Sequence, residues 1–169
     1  MAFAILKVEI QDMFTRAHHG TKEYNQTVAL RNEVLRMPLG LAFSEEELSE
    51  EKDSLHLASW RGNTLMACLV LKPLSDTQLQ MRQLAVRDDC RRKGAGRALV
   101  HYAESFAMDH SYKEIVLHAR ETVLGFYEKM GYEVDGDRFI EVTIPHFFMR
   151  KNLFKDEGSG TRDAIGKGH

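Results

Sequence analysis

Between Gln78 and Leu117 the apolar residues change their spacing twice, and this restricts the fold more than any other feature of the chain. Gln78 to Val86 reads as a strand that ends in Leu84-Ala85-Val86. From Ala95 to Asp109, Leu99, Tyr102, Ala103 and Phe106 recur at i, i+3, i+4 and i+7, the pattern of a helix with one buried face. Ile115 to Leu117 is then a short buried strand. Strand, helix and strand of these lengths form a βαβ unit, so the two strands run parallel with a right-handed crossover. Upstream, Leu55 to Trp60, Leu65 to Leu71 and Gln78 to Val86 are joined by short turns at Arg61-Gly62-Asn63 and Pro73 to Asp76, which makes an antiparallel meander. The two together predict an α+β fold: a mixed, mostly antiparallel central sheet with helices on both faces.

The flanking sequence completes this outline. Ala4 to Val8 reads as a short strand followed by polar sequence. Tyr24 to Arg36 reads as a helix, with Val28, Leu30, Arg31, Val34 and Leu35 toward one side, ended by Pro38 and Gly40. Ser44 with Glu47 three residues on is a capping-box pattern that opens a short solvated helix. Val123, Phe126, Tyr127 and Met130 repeat helical spacing before a stop at Gly131. Tyr132 to Val134 and His146 to Lys151 are expected as the last strand pair, joined near Asp135-Gly136-Asp137. Residues 1–154 should form one domain, and the Gly-rich, apolar-poor stretch from Lys155 to His169 a flexible tail.

Charge and cysteine content exclude several classes. Lys+Arg is 23 against Asp+Glu 25, a formal charge of −2, which argues against a protein built to neutralise nucleic-acid phosphates. Two cysteines, Cys68 and Cys90, make no disulfide framework. Cys90, beside Arg91 and Arg92, has the surroundings of a low-pKa thiol but no adjoining histidine. No metal-ligand spacing occurs, and no apolar run approaches a membrane span, so a cytoplasmic protein without a metal is expected.

The chemistry lies first in Arg91-Arg92-Lys93-Gly94-Ala95-Gly96-Arg97, between a strand end and a helix start. Two glycines two residues apart allow a tight turn with no Cβ in a ligand's way. Successive N–H groups and the positive end of the helix dipole then make an anion nest suited to a pyrophosphate. The spacing matches neither a Walker loop nor a dinucleotide fingerprint.

Arg91-x-x-Gly94-x-Gly96 resembles the Q/R-x-x-G-x-G/A signature of the GNAT N-acetyltransferase superfamily, and Met81 to Val86 resembles the strand before it. Gly125-Phe126-Tyr127-Glu128-Lys129-Met130-Gly131-Tyr132 resembles the family's second hallmark. Phe139-Ile140-Glu141 with Ile144 to Met149 is similar to the end of the ElaA-like branch. The resemblance implies an acyl-CoA site in a gap between parallel strands. Pantetheine would pair with the backbone of Leu84, Ala85 and Val86, the pyrophosphate would rest on the amides from Arg92 to Arg97, and the basic side chains of Arg91, Arg92, Lys93 and Arg97 would lie near the phosphates. It further implies acetyl-CoA as cosubstrate, direct transfer to a small-molecule or peptide amine, and Tyr127 as the acid that protonates the departing thiolate. The Val86 N–H is the candidate oxyanion donor. Glu141, a carboxylate in an apolar stretch, is the candidate base, and His118, at a strand end, a candidate proton relay. Gln83 and His146 are candidate acceptor-pocket residues. Two rival readings remain: a CoA-binding sensor or interaction module without catalysis, and a nucleotide-phosphate binder using the same loop. The chain could act as monomer or homodimer.

Overall fold

In the computed structural model, residues 11–154 are described; the strand expected at Ala4 to Val8 and the tail expected from Lys155 lie outside them. The strands are β1 (Asp12–Arg16), β2 (Leu55–Arg61), β3 (Thr64–Pro73), β4 (Gln78–Val86), β5 (Glu114–Arg120), β6 (Glu133–Val134), β7 (Phe139–Glu141) and β8 (Ile144–Asn152). They form one sheet in the order β1-β2-β3-β4-β5-β8-β6, with β7 also on β8. Among the described strands only β4 and β5 are paired in parallel, and α3 (Ala95–Asp109) makes the crossover between them. The remaining helices are α1 (Lys22–Arg31), α2 (Glu45–Glu50) and α4 (Leu124–Glu128).

The alternation of side chains along the strands sorts the core into two layers. Leu99, Val100, Ala103 and Ala107 of α3 pack with Leu69, Leu71, Leu79, Met81, Ile115, Leu117 and Met149 on one face. Leu30 of α1 packs with Ala58, Trp60, Leu65, Cys68 and Ala85 on the other. β3 is apolar almost throughout because both of its faces are covered, and each fully buried leucine contributes about 1.5–3 kcal/mol. No helix among the described residues is long and apolar enough to cross a membrane.

Four local outcomes differ from expectation. Asp12–Arg16, read as polar sequence, is an edge strand whose charged ends hide its pattern; Arg61 bonds Asp12 across the pair at 2.9 Å. α1 begins at Lys22, capped by the Thr21 hydroxyl accepting from the Tyr24 N–H, and its last turn, Asn32–Arg36, is π-helical. α4 is shorter than the spacing implied: Val123 lies in a 3₁₀ turn before it and Met130 beyond its end. The last strands are not one hairpin. β7 intervenes and turns into β8 through Val142 and Thr143, both at positive φ (48° and 64°). The capping box at Ser44 forms as expected, with both reciprocal bonds present.

Candidate active site

β4 and β5 pair only from Gln78 to Met81 against Glu114 to Leu117. Beyond that level each keeps its outer neighbour, β3 or β8, and the two separate. A bulge marks the parting. Val70 faces Arg82 and Cys68 faces Ala85, so Leu69 alone opposes Gln83 and Leu84. Gln83 takes the left-handed conformation, φ 54°, which is uncommon for a residue with a Cβ. The result is a wedge with free backbone edges on both sides, one of them formed by Leu84, Ala85 and Val86.

The glycine loop closes the wide end of this wedge. Arg92 and Gly94 are both left-handed (φ 59° and 85°), and α3 starts directly after. Gly96 answers a different need: a Cβ there would lie 3.0 Å from Val86 Cγ2 and 3.6 Å from the Phe126 ring. The first turn of α3 therefore sits against β4 and α4 only because residue 96 has no side chain. Amides at a helix start, with no side chain over them, suit a diphosphate. The basic rim is exposed and pairs locally, Arg91 with Asp88 at 3.3 Å and Arg87 with Asp89 at 2.8 Å. Cys90 is not an activated thiol: burial and the neighbouring Asp89 carboxylate raise its pKa despite the arginines. Cys68 is a core residue, its pKa pushed up to about 12, chiefly by burial.

Tyr127 is buried and belongs to the apolar cluster that also takes in Leu84 and Val86 of the wedge. Its ring meets Phe126 and Tyr132 edge-on, with centroids 5.0 and 5.7 Å apart. Burial alone holds its phenol above the ordinary tyrosine range, so it carries its proton at every working pH. Behind it, Tyr132 donates to the buried Glu104, which also takes a 2.7 Å bond from Lys151. Lys151 in turn donates to the Met130 carbonyl at 2.7 Å and fixes the C-terminal end of α4.

The α1 side of the wedge is built from side chains. On β5 and β8, His118 opposes Phe148 and Arg120 opposes His146; on β7 and β8, Phe139 opposes His146. Directly opposed residues share a face, so the hairpin brings together three of the candidates. His118 Nδ1 lies 3.2 Å from Glu141 Oε1, and His146 Nε2 lies 3.7 Å from Glu141 Oε2. His146 Nδ1 lies 2.7 Å from the Ile144 carbonyl, which orients the ring. Arg120 donates to the Leu35 carbonyl in the π-helical turn at 3.1 Å, tying β5 to the end of α1.

Gln83, the remaining candidate, points toward α1, where its Oε1 accepts from Arg31. Arg31 is fully buried and also holds Glu51 through two bonds, of 3.0 and 2.7 Å. The Tyr24 hydroxyl donates to the same carboxylate, and the Phe43 ring lies under both Arg31 and Arg36. Burial alone would raise the Glu51 pKa; the bonds from Arg31 and Tyr24 reverse this and lower it. Burial also lowers the pKa of His56, whose Nε2 meets the Glu51 carbonyl while Nδ1 has no partner. Neither Arg31 nor Glu51 stands out as a site residue in the sequence. The one available signal was an arginine on the apolar side of a helix.

Residues 39–153 match the family model described as an acetyltransferase (GNAT) domain, and the chain belongs to that family of N-acetyltransferases. The YyaT protein of Bacillus subtilis is 24% identical over 140 residues, spanning 77% of this chain and 94% of its own. The fold is shared with ElaA of Escherichia coli (TM-score 0.70, 18% identity, 84% of this chain and 100% of the other). It is shared equally with an aminoglycoside 6'-N-acetyltransferase solved with coenzyme A (TM-score 0.70, 16% identity, 85% of this chain and 98% of the other).

Proposed function

We propose that the protein transfers an acetyl group from acetyl-CoA to a primary amine by direct attack within a ternary complex. The observation that carries this reading is the parting of two parallel strands beside a bulge, opposite a helix start that packs close only through Gly96. Acetyl-CoA supplies the thioester carbonyl that the amine attacks. The amides from Arg92 to Arg97 hold its diphosphate, with Arg91, Lys93 and Arg97 at the rim. The edge of Leu84, Ala85 and Val86 pairs with the extended arm as a strand would. The Val86 N–H donates to the carbonyl oxygen as charge builds there. Glu141, steadied by His118 and His146, takes the proton that the ammonium must lose, and His118 passes it toward solvent. Attack forms the C–N bond and a tetrahedral adduct; its collapse breaks the C–S bond, Tyr127 gives its proton to the thiolate, and the second proton shed by the nitrogen as it becomes an amide returns to the phenol. The phenol is protonated when the thiolate leaves, but the burial that raises its pKa makes it a weak acid, so it donates only once the sulfur carries full charge. Gln83 and His146 border the acceptor. The reading expects a cytoplasmic site of action and no nucleic-acid partner.

The test is Tyr127→Phe, followed by free-thiol release with an amine panel. Turnover should fall about 100-fold while the KM for acetyl-CoA stays within about twofold. Full rate in the variant across pH removes Tyr127 from the chemistry. Coenzyme A binding by calorimetry, with no acetylation of any amine, replaces this reading with a coenzyme sensor.

A further inference from the structure

Beside the point where β4 and β5 part, on the α1 side, lies a cavity of about 140 Å³. One water needs roughly 10–15 Å³ of such space, so the cavity suits a small ligand. Its walls include Gln83, Arg82, Lys72, Arg36, Glu50 and Glu51. Most of these charges are already matched. Arg36 pairs with Glu47 at 3.2 Å, and Glu51 is held by Arg31. Arg82, Lys72 and Glu50 have no ion-pair partner among the described residues.

The sheet register puts the two free cations side by side. Val70 opposes Arg82, and Lys72 is two residues from Val70 on the same strand, so Arg82 and Lys72 share one face as diagonal neighbours. Like charges so placed repel, and a bound anion relieves that repulsion. Arg82 also directly precedes the bulge residue Gln83, at the level where the wedge opens. Glu50 is the one unmatched carboxylate of the lining, so the walls suit a zwitterion better than a diamine.

We propose that this cavity receives the acceptor and that Arg82 and Lys72 bind an anionic group on it, a carboxylate or a phosphate. The substrate class is then a small amine that carries an acid. This rests on the acetyl-transfer reading above, and the test separates the two. Free-thiol release is compared for glycine, β-alanine and γ-aminobutyrate, for their amides, for phosphoethanolamine, and for diaminopropane. The acids should exceed their amides in kcat/KM by at least about tenfold, about 1.4 kcal/mol. Whether β-alanine or phosphoethanolamine is preferred tells carboxylate from phosphate. Arg82→Gln should lower the acid-to-amide preference about tenfold, Lys72→Gln by less, and Arg82→Lys should restore part of it.

Calorimetry of the same acids against coenzyme-A-saturated protein gives a readout that needs no turnover. Binding that weakens about tenfold in Arg82→Gln, with no acetylation of any amine in either panel, upholds the anion pocket and refutes acetyl transfer. Turnover of amides or diaminopropane as fast as the acids overturns the pocket and leaves transfer standing. So does equal loss for acid and amide in Arg82→Gln. Failure of every acid and of phosphoethanolamine to bind the saturated protein also overturns the pocket.

Discussion

The two sides of the wedge are made by different means. The α3 side is backbone: left-handed Arg92 and Gly94, a Cβ-free Gly96, and the strand edge from Leu84 to Val86. The α1 side is side chain: Arg31, Glu51 and Gln83 in one cluster, His118, Glu141 and His146 in another. On the proposed reading, the backbone side would bind what every acyl-CoA shares and tolerate change in most side chains around it. The side-chain side would then read one acceptor and depend on each partner. Substitutions on the two sides should therefore fail in different ways.

The largest effect is expected at Arg31. Arg31→Met leaves Glu51 half-buried without its cation and should cost about 3–5 kcal/mol in denaturant melts. A loss under 1 kcal/mol would mean that the cluster is replaceable packing. Next, Gly96→Val drives a side chain into Val86 and Phe126. It should cost about 1–3 kcal/mol and weaken coenzyme A binding in calorimetry far more than it alters acceptor preference. Equal damage to both would erase the contrast between the two sides. Glu141→Gln should lower kcat about tenfold at neutral pH and move the rising limb of the pH–rate profile upward, with little change in the KM for acetyl-CoA. An unchanged profile would assign the proton to another group.

The smallest effect is a pH dependence of stability. The folded-state pKa values of His56 and Glu51 lie below their unfolded ones. Each therefore adds stability that is complete above the unfolded pKa and lost as pH falls toward the folded one. For His56 the loss starts below about pH 6.5, and for Glu51 below about pH 4.3. Melting temperature should decline from pH 7 to pH 5, and His56→Gln should flatten that decline. The same slope in the variant would point to another group.

The backbone side was legible because its devices are local in sequence. Gly94 and Gly96 lie within one loop, between a strand of period two and a helix of period 3.6. Tyr127, Glu141, His118, His146 and Gln83 could each be named from their setting, but not the contacts among them. Glu141 meets His118 only because β7 turns back through Val142-Thr143, a pair with none of the Asn or Gly that usually announces such a turn. The Arg31 cluster was hidden for a different reason. Its partners stand 20 and 52 positions away, and the one mark on Arg31 is its place on the apolar side of a mostly polar helix. β1 went unread because an edge strand with charged ends alternates weakly.

Open strand edges invite neighbouring molecules to add on and build aggregates. Among the described residues, this sheet ends outwardly in a strand of 5 residues on one side and in strands of 2 and 3 residues on the other. Its other unpaired edges face each other across the wedge. An intruding polypeptide would have to thread between helix layers to reach them, whereas a slender unbranched molecule can slide in lengthwise. The fold thus hides in its interior the adhesive margin that most β-proteins must guard at their perimeter, and on the proposed reading turns a hazard for solubility into a berth.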